Sequence, residues 1–394
     1  MSNQLNPFGV AALPRIVFGK GVFDQLVPAV AALGNSLLIV TGSQSFRATG
    51  YWLSLVEQLE EAGVRWRQVS VKGEPSPHQV DQVVAEYGGE GINCVLAIGG
   101  GSALDAGKAI AGLLTCQRPV SDFLEGVGRP EDYTGPAVPF VAVPTTAGTG
   151  SELTRNAVIT QAGPGGFKKS FRDDRLLPRL ALVDPSLLES CPASVMLGNA
   201  LDAVTQLLEA YASPRASAFT DALAADGLRA FALGFRPDPD HPVRDFSQLA
   251  YAAMLSGICL TQAGLGSVHG FASPLGAFFG IPHGMACGTM LAACTEANIR
   301  LLQAREPVSP ALAKYREVWR ILTPEGSGDT GSPEALAQLL HHWTEACHVP
   351  RLSTFGISQA DLPTIVAASG GNSMRTNPLV LTESELLLVL EQRL

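Results

Sequence analysis

A change of texture part-way along the chain narrows the possible folds more than any other feature. Up to residue 184, short wholly apolar runs alternate with amphipathic stretches. Residues 36–40 (SLLIV), 64–71, 93–98 (NCVLAI), 140–143 (FVAV) and 180–183 (LALV) read as strands, and 51–62, 80–87 and 105–114 as helices. A strand that is apolar on both faces has to be covered on both faces, and parallel neighbours need a helical crossover between them. The first half is therefore expected to be an α/β layer structure with a parallel sheet and helices on both sides. After Asp184-Pro185 the strand runs nearly vanish. Ala-, Leu- and Met-rich segments at 195–211, 216–231, 248–263, 285–304, 333–346 and 383–394 predict an all-helical second half. The expected division is residues 1–187 and 188–394, with Pro- and Gly-rich loops at 236–244 and 324–332.

Composition bounds the function. The chain has 394 residues, enough for two or three domains at roughly 150 residues each. Hydrophobic residues make up 46% and charged ones 16%, which excludes disorder for the bulk of it. The net charge of −9, without basic blocks, argues against nucleic-acid and anionic-membrane partners, because both want clustered Lys and Arg. Seven scattered cysteines with no CxxC pair fit reduced thiols better than a disulfide scaffold. No signal-peptide pattern opens the sequence, and no apolar run is long enough for a membrane span. The cytoplasm is the expected location.

Two loops in the first half carry chemistry. In NCVLAIGGGSALDAGKAIAG, an apolar strand runs through Gly99, Gly100, Gly101 and Ser102 straight into a helix. Glycine permits close backbone approach, and a helix start offers free N–H groups to an anion. The spacing is neither the usual dinucleotide fingerprint nor a Walker A loop. Taken alone, the segment also fits a tight turn with a surface ion pair between Asp105 and Lys108, three apart on one helix face. In VAVPTTAGTGSELTRNAVIT, a second strand opens into Thr145, Thr146 and Thr149 among small residues. Two such loops after parallel strands favour nucleotide binding, since ligands of such sheets lie beyond the strands' carboxyl ends.

In the helical half, Asp202 and Gln206 share a helix face at i and i+4, and His269 and His283 lie fourteen apart, each followed by Gly. A carboxylate with imidazoles is a ligand set for Zn²⁺ or Fe²⁺. Each histidine taken alone is more often a structural residue than a ligand.

GGGSALDAGKA, PTTAGTGSE, LDAVTQLLEAYAS and GLGSVHGFASPLGAFFGIPHG occur in the order found in the iron-containing (group III) alcohol dehydrogenases, which the chain resembles from PRIVFGKGVFDQL to GGNSMRTNPLVLTESEL. The resemblance implies a dehydroquinate-synthase-like fold: an α/β dinucleotide-binding domain and an all-helical domain, with the active site in the cleft. It implies hydride transfer between a nicotinamide and a small or medium alcohol or aldehyde, assisted by a divalent metal. Gly99, Gly100, Gly101, Ser102, Asp105, Thr145, Thr146 and Thr149 would line the cofactor. Lys168, ten residues before Pro178, matches a lysine that approaches it, and Asn156 a polar residue near nicotinamide and substrate.

Asp202, His269 and His283 match metal ligands, and Gln206, standing where relatives have a third histidine, would take the fourth place unless water does. Ser273 stands where many carry another histidine. After the first strand, Gly42 and Ser43, with Arg47 nearby, replace an acidic residue that grips the ribose 2′-hydroxyl, which favours NADP(H) over NAD(H). Homo-oligomers, dimers or larger, are expected from the family. The rival readings are a metal-independent reductase resembling maleylacetate reductase, a dehydroquinate-synthase-like cyclase and a non-catalytic nucleotide-binding relative with a decayed metal site.

Overall fold

A computed structural model describes residues 6–128, 131–163, 165–323 and 331–394. Most of the loop expected at 324–332 lies outside the described residues. By the density of its contacts the chain separates into two compact units, one of residues 12–162 with 166–192, the other of residues 193–394 with the segment ending at Ala11 and the turn at Gly163.

The first unit is built on a parallel sheet. Its strands are β1 (Arg15–Phe18), β2 (Ser36–Gly42), β3 (Arg65–Val71), β4 (Cys94–Gly99), β5 (Phe140–Pro144) and β8 (Leu180–Val183), in the spatial order β1-β8-β5-β4-β2-β3. Between β5 and β8 an antiparallel hairpin of β6 (Asn156–Gln161) and β7 (Phe167–Arg172) forms a separate two-stranded sheet. The two-residue side-chain period of the strands divides the core between the faces. Leu38, Val40, Val95, Ala97, Phe140 and Ala142 join α3 (Pro77–Tyr87) and α4 (Gly101–Leu113) on one face. Leu37, Ile39, Leu96, Ile98, Val141 and Val143 join α1 (Leu26–Ala31) and α2 (Gly50–Glu61) on the other. The central strands are almost wholly apolar because neither face meets water, and the buried Thr41 hydroxyl of β2 accepts from Gln68. Helix α3 begins with a capping box, Ser76 and Gln79, with Pro77 at its first position. Helix α4 begins at Gly100 with no side-chain cap, so its first N–H groups are left for something else.

The second unit holds α5 (Ala193–Ala212), α6 (Ala218–Gly234), α7 (Phe246–Ala263), α8 (Ser267–Phe279), α9 (His283–Arg305), α10 (Pro310–Leu322), α11 (Pro333–Ala346), α12 (Leu362–Ala368) and α13 (Glu383–Glu391). Among the described residues no single helix is long and apolar enough to cross a membrane.

The division falls at Pro192 and Ala193 instead of 187 and 188. Asp184 caps the turn Pro185–Ser190 by accepting from the Ser186 N–H, and Leu187 inserts into the core of the sheet unit. The segment ending at Ala11 leaves the sheet unit because the Ala11 N–H donates to Gln262 Oε1 on α7 at 2.8 Å.

Candidate metal and nucleotide sites

In the sheet unit, β4 delivers Gly99 and Gly100 to the start of α4, and β5 delivers Thr145 and Thr146 beside them. The Thr145 N–H donates to the Gly99 carbonyl at 3.0 Å. The glycines are demanded by this approach. A Cβ on Gly101 would lie 2.6 Å from Thr149 Cγ2, one on Gly100 3.3 Å from Thr146 Cγ2, and one on Gly99 3.4 Å from the Gly42 nitrogen. Gly42, Gly99, Gly100, Gly101, Thr146 and Thr149 are thus brought together, with uncapped helix N–H groups among them. Ser102 is half-buried in the first turn of α4, while Ser43 is exposed. Arg47 is also exposed, 3.5 Å from Ser70 Oγ and over the Trp52 ring.

Lys108 is no surface residue. It is completely buried, and its ammonium donates to the Ser151 carbonyl (2.8 Å) and hydroxyl (2.9 Å), Thr154 Oγ1 (2.9 Å) and the Asn156 carbonyl (2.7 Å). Asp105 lies 3.6 Å away and accepts from Ser151 Oγ at 2.6 Å. Burial lowers the Lys108 pKa despite Asp105 and Glu152, and it raises that of Asp105 despite Lys108. Burial also pushes Glu152 up to about 7. Lys108 therefore clamps the threonine loop and the start of β6 onto α4. Asn156 contributes its carbonyl to this clamp and points its amide to Ser170 Oγ at 3.5 Å. Lys168 is paired with Glu74, whose other oxygen accepts from Thr160 at 2.6 Å, and its charge is felt by Asp105.

In the helical unit, α5 presents Asp202, Gln206 and Glu209 along one face. Helix α8 supplies His269, and α9 supplies His283 at its first residue and Cys287 one turn later. One donor atom from each of Asp202, His269, His283 and Cys287 lies within 4.8 Å of the other three. Asp202 Oδ1 is 3.2 Å from His269 Nε2 and 3.7 Å from His283 Nε2. Glu209 fixes the His269 ring: Oε2 meets Nδ1 at 2.6 Å, while Oε1 accepts the Val268 N–H at 2.7 Å. Gln206 lies on the expected face, but its Oε1 accepts from Ser256 Oγ at 2.7 Å. Ser273 follows His269 by one turn on α8, and Phe271 and Ile281 are core residues.

The helices that carry these groups are pressed together. A Cβ on Gly284 would lie 2.3 Å from the Gly198 carbonyl oxygen, so α5 and α9 meet backbone to backbone next to His283. Burial disfavours the Asp202 carboxylate, yet His283 and His269 outweigh it and draw its pKa down to about 2. Burial likewise disfavours a charged His269, and Cys287, Glu209 and Asp202 overcome it, raising its pKa well above the usual imidazole value. Asp202 Oδ2 is buried without a hydrogen-bond partner, an uncommon and costly state for a carboxylate oxygen. Carboxylate, imidazole and thiol donors around one point, with an acceptor lone pair left over, fit a divalent cation. His283 keeps 26% of its side chain exposed, against 1% for Asp202 and 6% for His269.

Glu209 and Cys287 were not expected from the sequence. The available signals were helical spacing, Glu209 three residues after Gln206 and Cys287 four after His283, which put each on an already marked face.

A parallel α/β unit with a glycine-threonine loop pair, followed by an all-helical unit with a buried carboxylate–imidazole cluster, defines the dehydroquinate-synthase-like class of folds. Residues 14–185 match the family described as iron-containing alcohol dehydrogenase, and residues 197–394 match its C-terminal part. The chain belongs to the iron-containing alcohol dehydrogenase family. It is 32% identical over 334 residues to a probable alcohol dehydrogenase, EutG, of Escherichia coli, covering 83% of this chain and 80% of that one. It is 28% identical over 354 residues to the NAD-dependent methanol dehydrogenase of Bacillus methanolicus, covering 83% and 90%. Among solved structures, a 1,3-propanediol oxidoreductase superposes with a TM-score of 0.87 at 27% identity over 99% of this chain and 100% of that one.

Proposed function

We propose that the protein is a nicotinamide-dependent alcohol dehydrogenase or aldehyde reductase that works with a divalent metal held by Asp202, His269 and His283. The observation that carries this is the cluster of those three side chains, with both imidazoles facing Asp202 Oδ1 and the buried Asp202 Oδ2 left without a hydrogen-bond partner. When bound, the metal supplies a Lewis acid for the substrate oxygen and the dinucleotide supplies the hydride. The chain supplies placement. Glu209 accepts the Nδ1 proton of His269 and so keeps Nε2 turned toward Asp202. The uncapped N–H groups of α4 at Gly100 and Gly101 suit a pyrophosphate. Lys108 keeps the threonine loop in register with that helix start.

The preference is for NADP(H). Gly42 ends β2 and Ser43 follows it, without a carboxylate to repel a 2′-phosphate, and the exposed Arg47 guanidinium offers it a charge-assisted bond. Substrates are small or medium alcohols and aldehydes.

Elemental analysis of the purified protein, with NADPH and NADH oxidation against an aldehyde panel before and after chelation, tests the reading. The expected result is about one equivalent of metal per chain, faster turnover with NADPH, and activity that is lost on chelation and restored by metal. Turnover without metal would replace it with a metal-independent reductase, and cofactor binding without turnover on any carbonyl would point to a non-catalytic relative.

A further inference from the structure

We infer that Cys287 binds the metal as a thiolate, so that the site is Asp202–His269–His283–Cys287 and favours zinc over ferrous iron. This rests on the reading that the helical unit holds a metal. Cys287 Sγ stands 3.7 Å from His269 Nε2 and 3.9 Å from His283 Nε2, the same two nitrogens that face Asp202. A tetrahedral ion with bonds of about 2.0–2.1 Å to nitrogen and about 2.3 Å to sulfur keeps those atoms roughly 3.6 Å apart. The Asp202 to His269 separation of 3.2 Å suits the shorter oxygen and nitrogen bonds in the same way.

Cysteine is often buried merely as a small apolar residue. Cys287 differs from Cys94, Cys259 and Cys347, which are buried too, in having its sulfur against two imidazoles and a carboxylate. Its place one turn after His283 on α9 gives both side chains one direction. Glu209 holds the His269 ring so that Nε2, not Nδ1, faces the sulfur. The Gln206 amide, on the same α5 face as Asp202 and Glu209, has its oxygen engaged by Ser256. On binding, the S–H bond breaks, the sulfur gives its electron pair to the ion and the proton leaves to solvent, with no change in oxidation state. Thiolate is a soft donor, and it weights the set toward zinc.

X-ray absorption at the zinc edge of the full-length, zinc-loaded protein tests the assignment. One sulfur at about 2.3 Å beside a nitrogen and oxygen shell at about 2.0–2.1 Å is expected. The sulfur should vanish in Cys287→Ser and persist in Gln206→Ala. Loss of an outer-shell partner already costs about 10–100-fold in metal affinity, so Cys287→Ser should lose at least about tenfold in competition with a chelator. A bound zinc with only nitrogen and oxygen neighbours, or a sulfur shell that survives Cys287→Ser, overturns the thiolate and leaves the metal reading standing. Absence of bound zinc overturns the thiolate and the zinc preference, and absence of any bound divalent metal overturns the metal reading as well. If Cys287→Ser does not fold, the wild-type shell decides, together with the presence or absence of near-ultraviolet sulfur-to-cobalt absorption in the Co²⁺-loaded wild type.

Discussion

His269 has a carboxylate at each ring nitrogen, Glu209 at Nδ1 and Asp202 at Nε2. Glu209→Gln replaces an acceptor pair by one acceptor and one donor, so either His269 Nδ1 or the Val268 N–H loses its partner. Metal affinity should fall about 10–100-fold in chelator competition, with the fold retained by circular dichroism. Glu152 allows a prediction on pH. Burial holds its pKa at about 7 in the folded protein against an ordinary 4.5, so between these values the folded chain keeps a proton that the unfolded chain has lost. Stability should therefore fall as pH rises through this window, by on the order of 3 kcal/mol, and level off above it. Urea unfolding at about pH 5 and about pH 8 should show that fall, and Glu152→Gln should make it smaller, leaving the part that belongs to His269.

Legibility at this scale followed residue type. Asp202 and the two histidines stood out because a carboxylate with imidazoles suggests metal. Cys287 and Glu209 did not, because a lone thiol or carboxylate on an apolar helix carries no such signal until packing supplies its neighbours. Lys108 was compatible with a surface ion pair because charge and spacing say nothing about depth.

At the scale of elements, α5 and α9 set the distance between Asp202 and His283 by the contact of Gly198 with Gly284. A Cβ at Gly284 meets backbone, which cannot rotate away. One at Gly288 meets Leu201 Cδ1 at 2.6 Å, the far end of a flexible side chain. Gly284→Ala should therefore cost about 1–3 kcal/mol or more by urea unfolding and weaken metal binding besides. Gly288→Ala should be close to neutral, since its clash is offset by the roughly 0.5–1 kcal/mol that alanine gains over glycine inside a helix. Equal effects would remove the backbone contact as the spacer. The apolar strands β2, β4, β5 and β8 were plain in the sequence because burial on both faces makes them almost wholly apolar, with only Ser36 and Thr41 polar in β2. The hairpin β6–β7 was not, since the run of Lys168, Lys169 and Ser170 in FKKSFR breaks the apolar–polar alternation that marks a strand. Helix α8 was hidden by Gly270, Pro274 and Gly276, whose poor propensity is outweighed by burial of His269, Phe271 and Leu275. Helix α10 has amphipathic spacing but many charges, and it went unread.

For the whole molecule, a metal bound only by the folded state adds stability by mass action. Free zinc at about a hundred times its Kd should add about 2.7 kcal/mol to the unfolding free energy of the helical unit. Hydrogen exchange should show the added protection in α5, α8 and α9, and a chelator should remove it. Uniform protection of the strands as well would mean that the ion is bound elsewhere. The sequence marked the passage from sheet to helices but not the allegiance of the segment ending at Ala11. That depends on two long-range bonds between Ala11 and Gln262, which no local pattern announces.

The uneven exposure of the four donors bears on traffic. Cys287, Asp202 and His269 are sealed in, whereas His283 begins its helix with about a quarter of its side chain in water. An ion entering or leaving passes one imidazole whose reorientation takes roughly nanoseconds, without prising helices apart. Occupancy is then set by equilibrium with the surroundings and is not sealed in at birth. The ion carried then reflects the site's relative affinities and the ions on offer, and a chelator should be able to withdraw it from the folded protein.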